Sequence, residues 1–207
     1  GLALAVYVSE YLPSDKRARV LGVLELFEGI PTVVFGYFAL LFVTPLLQKV
    51  IPGLSLFNPL SAGLVMGFAI LPYVSNVAAD AMQSVPRSIR EAAYALGARP
   101  YEVALKVVLP AALSGVIAAI ILAASRAIGE TMIVAIAAGQ RPTLTLDPRE
   151  TIATMTSYIV QAATGDQPTG STAYYALFAV GFTLFLLTLA LNVLAQYIVE
   201  RYRERYE

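Results

Sequence analysis

An arginine and a glutamate stand four residues apart in an otherwise apolar stretch of the chain. Residues 110–139 read PAALSGVIAAIILAASRAIGETMIVAIAAG, and Arg126 and Glu130 are the charged residues among them. A charge near the centre of a bilayer costs about 3 kcal/mol on insertion scales, so such residues usually face a bundle interior or a water-filled cavity. A guanidinium stays charged and matches an oxyanion with a bidentate fork. The pair therefore predicts an oxyanion path, with Ser125 and Thr131 beside it.

The same spacing allows a second interpretation of Arg126 and Glu130. At i and i+4 they share a helix face and their side chains can meet. They would then be a structural pair that locks two helices together, or a gate in which Glu130 holds the arginine until an anion arrives. Thirty residues make about 45 Å of helix, more than the ~30 Å hydrocarbon core. We therefore expect the helix to tilt or kink near Gly129, or to begin in the cytoplasm.

A second pattern lies in the loop at residues 86–110. Ser88 and Glu91 match a capping box at the start of a helix. Gly97 and Pro100 favour the end of that helix and the start of the next. Four apolar residues follow one helix face: Ile89, Ala92, Ala93 and Leu96. The loop is predicted to be a helix, a sharp turn and a second helix, and an ordinary connection is the simpler interpretation of the capping pattern alone.

The composition around both patterns is that of a membrane protein. Hydrophobic residues make up 58% of the chain, charged residues 14%, and the mean hydropathy is +0.71, whereas globular chains are about 45–50% apolar and 25% charged. The net charge of zero argues against nucleic-acid binding. Cysteine and histidine are absent, which removes thiol chemistry and the commonest metal ligand and general base. We expect neither an enzyme active site nor a metal site.

Four stretches are long enough to cross a bilayer, which takes about 20 apolar residues. They lie at residues 30–50, 59–82, 110–139 and 174–198. Residues 1–8 are apolar as well but too few to cross, and the simplest interpretation is that the chain begins inside a helix of a longer protein. The loop at residues 140–172 is predicted to hold a short amphipathic helix between Pro148 and Gly165. Its apolar face would carry Ile152, Met155, Ile159 and Ala163.

Basic residues alternate between the loops and so orient the spans. Three segments hold ten of them: Lys16, Arg17, Arg19, Arg87, Arg90, Arg99, Lys106, Arg201, Arg203 and Arg205. The other two loops hold three: Lys49, Arg141 and Arg149. Because short cytoplasmic loops carry the excess of Lys and Arg, the sequence predicts an inner-membrane, multi-pass chain whose C-terminus is cytoplasmic.

The spacing in the loop at 86–110 resembles the EAA loop of ABC-importer permeases. Glu91-Ala92-Ala93 is followed after three residues by Gly97, and after nine more by VVLP at residues 107–110. Val107 stands where isoleucine is common in the family. The resemblance implies that the loop is the coupling helix, which docks in a groove of an ATP-hydrolysing subunit. It assigns coupling to six residues: Glu91, Ala92, Ala93, Gly97, Arg99 and Pro110.

The motif RAIGET at residues 126–131 resembles the RA-x-GET signature of phosphate-importer permeases, which occur as PstC-type and PstA-type subunits. Residues 25–36, ELFEGIPTVVFG, resemble the same family, with Glu28 where a small residue is expected. Met132 and the basic tail at residues 192–206 are closer to the PstC type. The resemblance implies an all-α transmembrane bundle with a MetI-like core. It implies one permease domain over residues 1–207, truncated at its N-terminus, and six spans in the complete subunit.

The resemblance also implies the partners of this chain. These are a second, PstA-type permease, two ATP-binding subunits, an extracytoplasmic phosphate-binding protein and membrane lipid, with no nucleic acid. ATP would bind those subunits, since this chain contains no G-x-x-x-x-G-K-[ST] motif. Arg126 suits any oxyanion, so an importer of sulfate, molybdate or an uncharged solute stays open. An independent channel or secondary carrier also explains the charges of the third span, but not the docking helix.

Overall fold

The computed structural model describes residues 1–165 and 168–202 as helices joined by turns and loops, with no strand in those ranges. In chain order the helices are α1 (Leu2–Glu10), α2 (Ser14–Glu28), α3 (Thr32–Gln48), α4 (Pro59–Gln83), α5 (Arg87–Ala95), α6 (Pro100–Ala111), α7 (Leu113–Gly129), α8 (Met132–Ala137), α9 (Met155–Thr164) and α10 (Thr172–Tyr202). The all-α prediction is confirmed. Arg203 and Arg205 of the basic tail lie outside the described residues.

Two of the predicted spans are single helices. Within the described residues, α4 and α10 are each long and apolar enough to cross a membrane. Length and composition allow up to four spans if two bent pairs, α2 with α3 and α6 with α7, count as one span each. The bend between α6 and α7 is 73°. The predicted span at residues 30–50 therefore corresponds to α3, which meets the criterion only together with α2.

The prediction of one continuous helix over residues 110–139 is wrong. The chain turns at Ala112 (φ −91°, ψ 5°), runs as α7 to Gly129, and starts again as α8 at Met132. The kink that we expected near Gly129 is thus a complete break. The apolar composition does not reveal either interruption. A turn inside a membrane protein can keep apolar side chains, because its backbone groups find partners within the protein.

The chain divides into two compact units by internal contacts. The first comprises residues 1–29 and 70–125 and the described residues from 191 onward. Its core is rich in alanine and consists of Ala5, Ala78, Ala79, Met82, Val85, Val103, Val108, Ala112, Val116 and Ala119. Small side chains let helices approach closely. An ideal Cβ added to Gly115 of α7 would lie 2.5 Å from the Cβ of Ala81 on α4, so glycine is required at that crossing.

The second unit comprises residues 30–69 and 126–190. Its core consists of Phe35, Ala39, Ala62, Val65, Ile133, Val134, Ala137 and Ala138. Gly36 of α3 packs against α8, since a Cβ there would lie 3.1 Å from the Cβ of Ile136. A buried polar network fixes the start of α4: the Asn58 carboxamide oxygen accepts the Ser61 amide at 2.8 Å, and the Ser61 and Thr44 hydroxyls lie 2.7 Å apart.

The helix predicted in the loop at residues 140–172 is shorter than expected and turns a different face inward. It begins at Met155, where Thr154 is the N-cap and its hydroxyl accepts the Ser157 amide at 3.1 Å. Ile152 precedes the helix and its amide donates to the Ala138 carbonyl. Met155 is exposed, and the buried residues of α9 are Thr156 and Ser157. The apolar spacing therefore predicted the wrong buried face. The residues that face inward are hydroxyl residues whose side chains have hydrogen-bond partners.

Candidate coupling surface and anion path

The first helix of the coupling segment has its N-cap two residues earlier than the sequence predicts. Pro86 (φ −57°, ψ 140°) is the N-cap of α5, and no side chain caps the helix. Pro86 already supplies the non-helical conformation that an N-cap needs, so Ser88 lies inside the first turn and the predicted capping box with Glu91 is wrong. A side-chain cap of this kind occurs at the next helix instead, where the Glu102 carboxylate accepts the Arg99 amide at 3.1 Å.

Gly97 closes α5 in the predicted way. Its φ of +81° is left-handed, a region that glycine enters without a steric penalty. The Ala98 amide donates to the Ala93 carbonyl, and the Gly97 amide donates to the Tyr94 carbonyl. These two bonds are a Schellman motif, which satisfies carbonyls at a helix end. Pro100 then starts α6 at its first position, so the predicted helix, sharp turn and second helix are confirmed.

The two faces of α5 differ in what covers them. Ile89 and Ala93 pack against the core of the first unit. On the other side Glu91 and Ala92 are exposed, and Leu96 is 89% exposed. The predicted single apolar face is therefore divided. Ile89 and Ala93 hold the helix on the core, whereas Ala92 and Leu96 are exposed. Arg99 and Pro110, the remaining coupling candidates, are also exposed.

Arg90 has a role that sequence reasoning missed, since the loop charges served only to orient the chain. Its guanidinium forms an ion pair with Glu10 of α1, with Nη2 to Oε1 at 3.0 Å and Nε to Oε2 at 3.2 Å. It also donates to the carbonyls of Met82 and Val85 at the end of α4. The signal available in the sequence was Glu10, an acid that ends an apolar run.

A polar cleft of about 390 Å³ surrounds this ion pair. It is lined by Ser9, Glu10, Arg17, Gln83, Arg87, Arg90, Glu91 and Tyr94. Arg17 donates to the carbonyls of Val8 and Ser9, at 3.0 and 2.6 Å, and so caps the C-terminal end of α1. Cations near helix C-termini interact favourably with the helix dipole.

Glu130 caps the helix that follows the break. Its Oε1 accepts the amides of Met132 and Ile133 at 3.0 and 3.3 Å. A carboxylate at a helix N-terminus satisfies amides that have no partner within the helix. Because α7 ends at Gly129, Glu130 is not on a helix face shared with Arg126, and the predicted i, i+4 relation is wrong. Arg126 lies on α7 and is exposed at the surface of this chain.

The other residues predicted along the anion path are close to the break in sequence. The Thr131 hydroxyl donates to the Gly129 carbonyl at 3.3 Å. The Ser125 hydroxyl is buried and makes no hydrogen bond within the described residues. Sequence reasoning missed Thr156, whose hydroxyl donates to the Glu130 carbonyl at 2.8 Å and ties α9 to the break. The spacing of Thr154 and Ser157, three residues apart, was the available signal for a helix start there.

The loop that precedes α9 carries an exposed ion pair. Arg149 Nη2 lies 2.7 Å from Asp147 Oδ2. The side-chain hydrogen bond from Arg149, with its backbone amide second, lowers the pKa of Asp147 to about 2. The Thr151 hydroxyl donates to the Phe57 carbonyl at 2.8 Å, and the Ser55 amide donates to the Arg149 carbonyl at 2.9 Å. This loop is thus fastened to the start of α4 by backbone and side-chain bonds.

Helices long and apolar enough to cross a membrane, a break after Gly129 and an exposed helix and turn at residues 87–99 (the elbow) indicate a polytopic membrane protein. A model of the family described as binding-protein-dependent transport system inner membrane component matches residues 1–204. The chain belongs to this family. Its solved fold neighbours include the MetNI methionine ABC transporter in an inward-facing conformation, at a TM-score of 0.71 and 17% identity over 99% of this chain and 86% of that one. The MetI-like fold prediction is confirmed.

Curated relatives are similar over nearly the whole chain. The probable ABC transporter permease protein YqgH of Bacillus subtilis is 31% identical over 97% of this chain and 65% of its own length. The phosphate transport system permease protein PstC of Xylella fastidiosa (strain Temecula1) is 32% identical over 97% of this chain and 67% of its own length. PstC of Mesorhizobium japonicum is 29% identical with the same coverage. The chain spans about two thirds of the length of these relatives.

Proposed function

We propose that this chain forms the translocation path of an ATP-driven phosphate importer, as its PstC-type permease subunit. The observation that carries the proposal is the elbow: a helix held on one side by Ile89 and Ala93, closed by Gly97, with Glu91 and Leu96 exposed. An exposed Leu96 beside an exposed carboxylate suits a partner that supplies an apolar groove and donors. The names of the PstC relatives support phosphate as the cargo.

The partners follow from this role. We expect a PstA-type second permease, an extracytoplasmic phosphate-binding protein and two ATP-binding subunits, which hold the ATP so that this chain needs no cofactor and catalyses no reaction. The elbow would dock on one ATP-binding subunit through Glu91, Ala92 and the turn at Gly97. Such docking requires the elbow to be cytoplasmic, and the alternation of basic loops supports a cytoplasmic C-terminus as well.

The anion path is proposed along the break of the third span. Arg126 would contact the phosphate, since its planar fork matches an oxyanion. The buried Ser125 hydroxyl offers a further donor, and Thr131 lies at the break itself. Glu130 holds the amides of α8, which supports a role in keeping the break open. Holding the arginine in the absence of an anion would require Glu130 to release those amides.

Uptake by vesicles that contain the complete transporter tests this proposal. Arg126→Gln should lower ATP-dependent phosphate uptake about tenfold or more, because a hydrogen bond to a charged group is worth about 1.5–3 kcal/mol. Arg126→Lys should retain part of the uptake, and Arg141→Gln, which removes an exposed loop arginine, is the matched control. Size-exclusion profiles of the purified complexes verify assembly.

The outcomes separate the competing functions. Uptake of sulfate or molybdate in preference to phosphate would make the chain a permease for another oxyanion. Flux that ignores ATP, from a chain that purifies without an ATPase, would make it a channel or secondary carrier. Full phosphate uptake by an assembled Arg126→Gln complex would remove Arg126 from the path.

A further inference from the structure

The ion pair between Glu10 and Arg90 joins the ends of three helices in the first unit. Glu10 is the last residue of α1, Arg90 belongs to α5, and the carbonyls of Met82 and Val85 are at and just beyond the end of α4. We propose that this pair is the mechanical joint of coupling, which transmits displacement of the elbow to α1 and α4. Arg90 is thus a positioning residue, and the inference rests on the proposed function.

The geometry of Arg90 suits a joint better than a flexible contact. Its planar guanidinium makes two bonds to one carboxylate and two to backbone carbonyls. The Arg90 and Glu10 side chains are 17% and 7% exposed. The Glu10 carboxylate also accepts the Ser9 hydroxyl at 2.7 Å. Because the guanidinium bonds to the ends of both α1 and α4, a movement of the α5 backbone at this point should displace those helix ends or break several bonds.

Stability alone does not explain this arrangement. A buried ion pair is often no more stabilising than apolar residues of similar size, because both charges lose their hydration. The rest of α5 is fastened by ordinary apolar packing through Ile89 and Ala93. A residue pair that fixes the relative position of three helices is what a transmission element requires.

The location of the pair connects it to the docking surface. Arg90 immediately precedes Glu91, which is exposed on the elbow. A force applied at the open face is therefore one residue away from the partly buried joint. Arg17 strengthens the receiving side, since its guanidinium caps the carbonyls of Val8 and Ser9 at the end of α1. Movement received by Glu10 is thereby passed to a helix end whose carbonyls are held by Arg17.

The test measures how strongly ATP hydrolysis responds to the binding protein, and not how much complex is assembled. Full-length Glu10→Gln and Arg90→Gln chains are purified in the complete transporter and placed in lipid vesicles. ATP hydrolysis is measured with and without the phosphate-loaded binding protein, per assembled complex. We expect the stimulation by binding protein to fall by about fivefold or more, the lower end of typical coupling effects. Arg90→Lys should be intermediate because it keeps the charge but not the fork.

Matched controls and a second readout make the result decisive. Arg19→Gln removes an exposed arginine of α2 and should leave stimulation unchanged. If the pair is only structural, Glu10→Gln and Arg90→Gln will lower the yield or melting temperature of the complex while stimulation per complex stays at the wild-type value, and the joint is refuted. A wrong assignment of the cargo is seen separately. The wild-type complex would then be stimulated by an anion other than phosphate and would take up that anion.

Discussion

The elbow and the break in the third span both interrupt a helix, but they do so with different chemistry. At the elbow the chain turns on Gly97, and backbone amides of Gly97 and Ala98 close the helix end. At the break the Glu130 carboxylate holds the amides of Met132 and Ile133, and the Thr156 hydroxyl holds the Glu130 carbonyl. The elbow is built from backbone and a single special residue; the break depends on side chains from two elements.

The difference has a physical basis in the surroundings of each turn. An exposed turn can leave further polar groups to water, so glycine and a proline suffice. At the break, the amides of Met132 and Ile133 and the Glu130 carbonyl have side-chain partners within the protein, as backbone groups at membrane depth need unless they line a water-filled cavity. Glu130 and Thr156 supply such partners. Substitutions at the two turns should therefore lower the unfolding free energy by different amounts. Different conservative replacements should restore stability at each turn.

The largest effect is expected at the break. Glu130→Ala removes the acceptor of two amides and a favourable charge at the α8 N-terminus. We expect the complete transporter to lose about 1.5–3 kcal/mol of unfolding free energy, the range for hydrogen bonds to a charged group. Denaturant unfolding in detergent, followed by circular dichroism, measures it. Glu130→Gln keeps an acceptor oxygen and should lose about half as much; equal losses would contradict the capping role.

A smaller effect is expected at the elbow. Gly97→Ala places a side chain at φ +81°, which costs about 1–2 kcal/mol for a residue other than glycine. Gly67→Ala is the matched control, since Gly67 lies on α4 with nothing within 4 Å of an added Cβ. The same unfolding measurement compares the two, and Gly97→Asn should be milder than Gly97→Ala because asparagine tolerates this region. If Gly97→Ala lowers the unfolding free energy no more than Gly67→Ala does, the turn can change its backbone conformation without cost and glycine is not required there.

The smallest of the three effects concerns Thr156. Thr156→Val keeps the shape but removes the donor to the Glu130 carbonyl, which should cost about 0.5–1.5 kcal/mol, as for a neutral hydrogen bond. Thr156→Ser retains the hydroxyl and is the control. In combination with Glu130→Ala the loss should be smaller than the sum, since both act on one turn. Additive losses would show that α9 and the break are independent.

The sequence predicted the elbow because its signals are local. Gly97 and Pro100 each favour a backbone conformation within a few residues, and the EAA spacing that resembles the family's loop is also local. The same reasoning failed for Ser88, since Pro86 had already set the start of α5. Long apolar helices such as α4 and α10 were predictable for a similar reason: a run of apolar residues needs no partner elsewhere in the chain to be recognised.

The kink near Gly129 was expected, but the side-chain partners at the break and at the joint could not be predicted because they join residues far apart in the sequence. Glu10 and Arg90 are separated by 80 positions, and Thr156 and Glu130 by 26. In the sequence Glu130 is a charge in an apolar run, which suggested a partner for Arg126. Only the fold shows that its carboxylate is used by backbone amides. Charged residues in such chains have to be weighed as caps before they are assigned to transport.

Helices α3 and α6 each contain a π-helical segment, which changes how the faces of these helices must be counted. The segments cover Ala39–Val43 and Val103–Val108, and a proline, Pro45 or Pro110, follows each of them within two residues. The wider turn accommodates a ring that would clash with the carbonyl four residues back. One extra residue rotates everything beyond it by about 100° at 3.6 residues per turn. A helical wheel for these segments must therefore be restarted at each proline. Without that correction, positions beyond the proline are assigned to the wrong face of the helix.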